Sequence, residues 1–223
     1  MGDAVGQMLA SAIGIAISPL PLIAVILLLA TPRGRADGTA FTAGWVVTLA
    51  AVTAVTVLAG SGINAGTARP TWSYWLKLAL GLLFLLLGAR QWRNRPREGH
   101  VIEPPAWMRT VDRVTPGRAA GLAVVLVAAN PKNLVLTVGG AVSIATSSAS
   151  AGGKAVAAVL MVLIGSLCTL LPLGAHVFGG ARSATVLGEW KAWMSAHNAA
   201  IMIVLLVVLG TKYLGDAISG LTA

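Results

Sequence analysis

The sequence predicts an all-α integral membrane protein with six transmembrane helices, arranged as two inverted three-helix repeats in which helices one and four are broken by proline. Three observations carry this expectation. Of 223 residues, 57% are hydrophobic and only 10% are charged. A soluble domain typically carries about 25% charged residues, so this chain has too little polar surface to cover itself. Apolar stretches of about 20 residues, enough to cross ~30 Å of hydrocarbon, recur along it. Proline motifs fall near the middle of the first and the fourth of these stretches.

The first span runs from Ala4 to Ala30. It has no basic segment in front, is too long for a signal peptide and is followed by further spans, so it is expected to remain in the mature protein. Gly2, Gly6, Ala10, Gly14 and Ser18 recur every fourth residue, a small-residue stripe that allows close packing on a helix of the same chain or of a second subunit in a homodimer. The second span runs from Gly38 to Gly60 and the third from Trp72 to Trp92. Lys77, one turn into the third, is expected to snorkel toward the interface.

Residues 93–117 form a basic loop between the repeats, 1–92 and 118–223. In it, Pro104-Pro105 precede a segment whose Trp107, Met108, Val111 and Val114 share one helical face, as in a helix lying in the membrane interface. The fourth span runs from Arg118 to Ser148, the fifth from Ala155 to Phe178 and the sixth from His197 to Leu214. Trp72, Tyr74, Trp75, Trp92, Trp190, Trp193 and Tyr213 stand at span ends, where amphipathic rings form a belt.

The net charge of +9 would suggest nucleic-acid binding in a soluble chain. Here it sorts by face. Arg33, Arg35, Arg90, Arg93, Arg95, Arg97, Arg109, Arg113, Arg118, Arg182 and Lys191 fall on the side of the connections after spans one, three and five; Arg69, Lys77, Lys154 and Lys212 fall on the other. The positive-inside rule makes the crowded face cytoplasmic and places both termini outside. No nucleic-acid partner is expected; the arginine-rich loop could hold anionic headgroups.

The two halves resemble each other. Ile17-Ser18-Pro19-Leu20-Pro21-Leu22 aligns with Ala129-Asn130-Pro131-Lys132-Asn133-Leu134, and the end of span three around Gly88 aligns with the end of span six around Gly210. Three spans per half put the halves in opposite orientations, as in many transporters. Pro19, Pro21 and Pro131 have no N–H to give the carbonyls of Ile15, Ile17 and Val127. Backbone freed in this way is tolerated in a membrane only inside protein or beside a watery cavity, so two breaks at one depth point to a shared central site; plain packing kinks are the alternative. Lys132 is the one charged residue near the centre of any span, where insertion scales put its cost at about 2.5 to 3.5 kcal/mol. No carboxylate is expected inside a span to offset it. Its partners would be freed carbonyls, the amides of Asn130 and Asn133, water or an anionic substrate.

Several function classes are disfavoured. No acid, base or metal cluster gathers at one face and no glycine-rich phosphate loop occurs, so neither an enzyme nor a cofactor is expected. His176 and His197 have no third ligand, and Cys168 stands alone, which removes thiol exchange.

A six-span chain with Ser18-Pro19-Leu20-Pro21 in span one, Asn130-Pro131-Lys132-Asn133 in span four and a long arginine-rich middle loop resembles the lysine-exporter (LysE) superfamily, and most of all its GAP branch, the Sap-like, sulfolipid-addressing family of actinobacterial membrane proteins. The resemblance covers essentially the whole chain. It implies movement of glycolipids or lipid precursors across the plasma membrane. Amino-acid exporters of the superfamily carry a glycine-containing proline motif that Ser18-Pro19-Leu20-Pro21 does not reproduce.

The resulting expectation is an exporter or flippase-like transporter for an anionic lipid or glycolipid precursor. Ser18, Pro19 and Pro21 would form one wall of a midplane site, and Asn130, Pro131, Lys132 and Asn133 the other. A lipid substrate further requires a lateral opening beside the broken segments. Export of amino acids or other small polar solutes, or an accessory role in an envelope-biosynthesis complex, are the alternatives.

Overall fold

The computed structural model describes residues 2–63, 71–93 and 114–222, and these are helical with no strand among them. The helices are α1 (Gly2–Ala16), α2 (Pro19–Leu29), α3 (Gly34–Ile63), α4 (Thr71–Arg93), α5 (Pro116–Ala128), α6 (Pro131–Ala145), α7 (Ala151–Gly165), α8 (Leu167–Phe178) and α9 (Ser183–Leu221), with a short 3-10 turn before α9. Three of them, α3, α4 and α9, are long and apolar enough to cross a membrane alone; counting each bent pair α1–α2, α5–α6 and α7–α8 as one span raises the number to six. The loop segment with Trp107, Met108 and Val111 lies outside the described residues.

Proline explains two of the bends. α1 and α2 meet at 47° and α5 and α6 at 66°. In both cases proline opens the second helix at its first position, where a missing N–H costs nothing. The preceding residue is driven out of helical geometry by the proline ring. Ser18 (φ −79°, ψ 116°) and Asn130 (φ −80°, ψ 113°) adopt the same extended conformation.

The third bend, 57° between α7 and α8, was not expected from the sequence and has no proline at its apex. Ser166 sits there with φ −91°, ψ −4°. The Gly165 carbonyl, which would accept from Thr169 in a continuous helix, instead receives the Trp45 indole N–H at 3.3 Å, while the Thr169 N–H turns to the Ser166 carbonyl at 3.0 Å. A side chain inserted into the hydrogen-bond ladder at a Gly-Ser pair is a recognised cause of kinking.

The sixth helix also differs from expectation. It begins at Ser183 rather than near His197, because Leu187 and Met194 are buried and extend its apolar face backward despite Glu189 and Lys191.

Helix directions follow from the contacts. α4 and α9 form the most extensive pair and run antiparallel: Lys77 meets Asp216, Gly81 meets Gly210 and Gly88 meets Leu206. α1 and α6 are also antiparallel, with Ser11 beside Gly140, Gly14 beside Leu136 and Ser18 beside Lys132. α1 and α7 run parallel, with Ser11 and Met161 meeting at Gly140 and Ile15 packing on Gly165. The core is built from Met8, Ala12 and Ile15 of α1, Ala24, Val25 and Leu28 of α2, Phe41, Trp45 and Leu49 of α3, and Leu136 and Ile144 of α6. Large apolar side chains such as Val47, Leu58, Leu86 and Val204 point outward and are exposed. Such a surface suits hydrocarbon rather than water, and the chain is compatible with a multi-pass membrane protein.

Of the small-residue stripe, Gly14 packs against Leu136 and Leu209 and Ser18 enters the site below, whereas a side chain at Gly2 or Gly6 would meet nothing.

Candidate functional site

The two proline breaks come together. Ser18 caps α2, but its side chain does not bond its own helix end; it crosses to α6. Its hydroxyl donates to Asn133 Oδ1 at 2.9 Å and accepts from Lys132 Nζ at 3.0 Å. Asn133 in turn donates through Nδ2 to the Leu126 carbonyl at 2.9 Å, one of the last carbonyls of α5. Asn130 caps α6, its Oδ1 accepting from the Lys132 backbone N–H at 3.1 Å. Lys132, Ser18, Asn133 and the end of α5 thus form one chain of hydrogen bonds.

Ser18, Lys132 and Asn133 are buried, as are Pro19 and Pro21; Pro131 is exposed. A cavity of about 170 Å³ opens between the starts of α2 and α6, the end of α4 and the middle of α9. Ser18, Pro19, Pro21, Asn130 and Lys132 line it. Asn133 and Pro131 do not: Asn133 braces Ser18 from behind, and Pro131 shapes the bend.

Four lining residues were missed by the sequence reading: Leu20, Gln91, Asn198 and Met202. Gln91 and Asn198 were legible as amides near the ends of spans three and six, but nothing local shows that those ends meet.

The carbonyls freed by proline are only partly as expected. The Ile15 carbonyl is not left open, because the Ser18 N–H turns back to it at 3.1 Å. The Leu126 carbonyl is instead the one that takes a side-chain donor.

The cavity is electropositive. Two helix N-termini, α2 and α6, abut it, each with the partial positive charge of a helix dipole. Lys132 adds a formal charge, and among the described residues no carboxylate lines the cavity. Among the described residues Ser18 is the only hydrogen-bond partner of Lys132 Nζ, which leaves donor capacity in an ammonium group that has three N–H bonds. An anion is the natural complement.

On the other side of the α1–α2 break lies a second, apolar cavity of about 400 Å³, lined by Ala16, Ile17, Leu22, Leu167, Cys168, Leu171, Trp190, Trp193 and Met194. It sits between the breaks of the α1–α2 and α7–α8 pairs and the first part of α9. Ile17, Leu167, Leu171, Trp190 and Trp193 are exposed, so the cavity opens sideways on the outer surface.

Charges elsewhere are paired more closely than the sequence suggested. Lys77, expected to snorkel, lies 4.0 Å from Asp216, which also receives Lys212 at 3.0 Å. Asp37, one residue before the expected start of the second span, is buried in the first turn of α3, where Thr31 Oγ1 donates to it at 3.3 Å. His197 stacks on Trp193. Among the described residues no three His, Cys, Asp or Glu side chains gather in a way that could hold a metal ion.

Comparison with curated proteins and with solved structures gave no match. A protein-family model, by contrast, matches residues 8–219, and so spans both proline breaks, Lys132 and the whole of the hydrogen-bonded chain between them. The chain belongs to the family described as Sap, sulfolipid-1-addressing protein.

Proposed function

We propose that this protein is an exporter or flippase-like transporter that moves an anionic lipid or glycolipid precursor across the plasma membrane through the cavity at the two broken helices. The observation that carries the reading is Lys132. It is 7% exposed, its described partner is a neutral hydroxyl, and none of the described residues that line its cavity is a carboxylate. An uncompensated charge at such a position is costly. A transiently bound sulfate, phosphate or carboxylate supplies the missing counter-charge.

The family name, sulfolipid-1-addressing, supports an anionic lipid as cargo. The matching geometry of Ser18 and Asn130 and the antiparallel packing of α1 on α6 and of α4 on α9 support two three-helix halves in inverted orientation, as in the lysine-exporter superfamily. Alternating access would then rock one half against the other around the fixed site. Both termini lie outside in this reading, and energy comes from a gradient or from downstream consumption of the lipid.

The test is a flux assay in proteoliposomes comparing labelled anionic lipids with labelled amino acids. Lipid movement is expected, and replacing Lys132→Met abolishes it while the purified protein keeps its helical content and melting behaviour. Flux of amino acids alone replaces the lipid reading with small-solute export. Undiminished lipid flux in the Lys132→Met protein removes the assigned role of the lysine.

A further inference from the structure

The polar cavity accommodates only one end of a lipid, and α9 connects it to a place for the other. Trp190, Met194, Asn198 and Met202 stand four residues apart and so form one stripe along the helix. Trp190 and Met194 line the apolar cavity, whereas Asn198 and Met202 line the polar one. The facing α1–α2 break is divided the same way: Ile17 and Leu22 border the apolar side, and Ser18 to Pro21 the side of Lys132. A ligand touching both must carry its negative charge at one end and its hydrocarbon at the other.

The apolar cavity, about 400 Å³, holds on the order of a dozen chain carbons, on the scale of a sealed cavity of about 150 Å³ that holds one benzene. The polar cavity is open on one side, so its volume sets no limit on the headgroup that carries the anion.

We infer that the α9 stripe is a binding site for one acyl or alkyl chain of an anionic lipid, with the anion beside Lys132 and the chain held between α1–α2, α8 and α9. This rests on the reading of Lys132 as the anion-binding group. It narrows the cargo to lipids in which a sulfate, phosphate or carboxylate lies within reach of an acyl chain. Leu171 on the exposed rim marks where the chain enters from the bilayer.

The probe is dodecyl phosphate with a photoreactive diazirine in mid-chain, offered to the full chain in phosphatidylcholine nanodiscs, with labelled peptides mapped by mass spectrometry. Labelling is expected on residues 167–171 and 190–194, displaced by unlabelled dodecyl phosphate but not by dodecanol. Lys132→Met should weaken it about tenfold or more, as expected for losing a hydrogen bond to a charged group, and Lys132→Arg should retain it. Leu171→Trp, a change at an exposed rim that the fold tolerates, should reduce it by narrowing the entrance.

Labelling spread evenly over outward side chains such as Val47, Leu58 and Leu86, or labelling that dodecanol displaces equally well, overturns the inference. It does so whether a second copy covers the apolar cavity or ordinary bilayer lipid fills it. The two readings fail separately. Lost flux in Lys132→Met with labelling of residues 167–171 and 190–194 unchanged removes the pairing of chain and anion at Lys132 and leaves the transport role. Unchanged flux in that protein removes the transport role whatever the labelling shows.

Discussion

Ser18 holds the site together because its hydroxyl works in both directions, accepting from Lys132 and donating to Asn133. Ser18→Ala removes both bonds and leaves a buried ammonium and a buried amide oxygen unsatisfied. A loss of about 1 to 3 kcal/mol is expected, read as a lowered melting temperature in detergent together with reduced lipid flux. An unchanged melting temperature would show that water replaces the hydroxyl without cost. Asn133 acts through its neighbours rather than on the cavity, so Asn133→Leu should lower stability by a similar amount and affect flux only through the position of Ser18. These roles were partly legible. A lysine in mid-span beside a proline break shows itself in any single sequence, because charge there is expensive. That its partner is a serine 114 residues away has no local signal.

At the level of helices, the bends have two physical origins. In α1–α2 and α5–α6 the cause is proline, a property of the local sequence, and the bends were foreseen. In α7–α8 the cause is Trp45, whose indole takes the Gly165 carbonyl from 120 residues away. Trp45→Phe keeps an aromatic side chain but removes that donor, leaving the buried Gly165 carbonyl only the weak Cys168 thiol at 3.5 Å. Faster amide exchange across residues 166–169, with a cost of about 1 to 2 kcal/mol, is the expected result; unchanged exchange would show that the bend does not depend on the indole. The α4–α9 crossing depends on absent side chains. A Cβ at Gly81 would stand 2.8 Å from Leu214 Cγ and 3.0 Å from the Gly210 carbonyl, whereas one at Gly88 would meet Leu206 Cβ at an ordinary 3.4 Å. Gly81→Ala should therefore destabilise by about 1 to 3 kcal/mol, the usual cost of overpacking, and Gly88→Ala should be nearly neutral. Thermal unfolding of the two proteins side by side checks the contrast.

For the whole molecule, orientation rests on arginine distribution rather than on packing. In a Cys168→Ser background, a single cysteine introduced by Thr222→Cys should react with a membrane-impermeant maleimide on intact cells, and one introduced by Arg35→Cys should react only after the cells are opened. The reverse pattern would place both termini in the cytoplasm and invert every statement about direction of transport. The two cavities also belong to this scale. Each is assembled from helices distant in sequence, and the proposal of a lipid site rests on their joint placement along α9.

The sequence by itself determined the membrane class, the location of the apolar stretches, both proline breaks and the lysine beside the second of them, because hydrophobic run length, the missing proline N–H and the cost of a buried ammonium act within a few residues. Tertiary structure alone decided which groups answer one another: Ser18 with Lys132, Asn133 with the Leu126 carbonyl, Trp45 with Gly165, and Lys77 with Asp216. It also decided that the sixth helix starts early and that an apolar cavity lies beside the polar one. Apolar helices are nearly interchangeable in composition, so the pattern along any one of them identifies a buried face without identifying the partner that buries it.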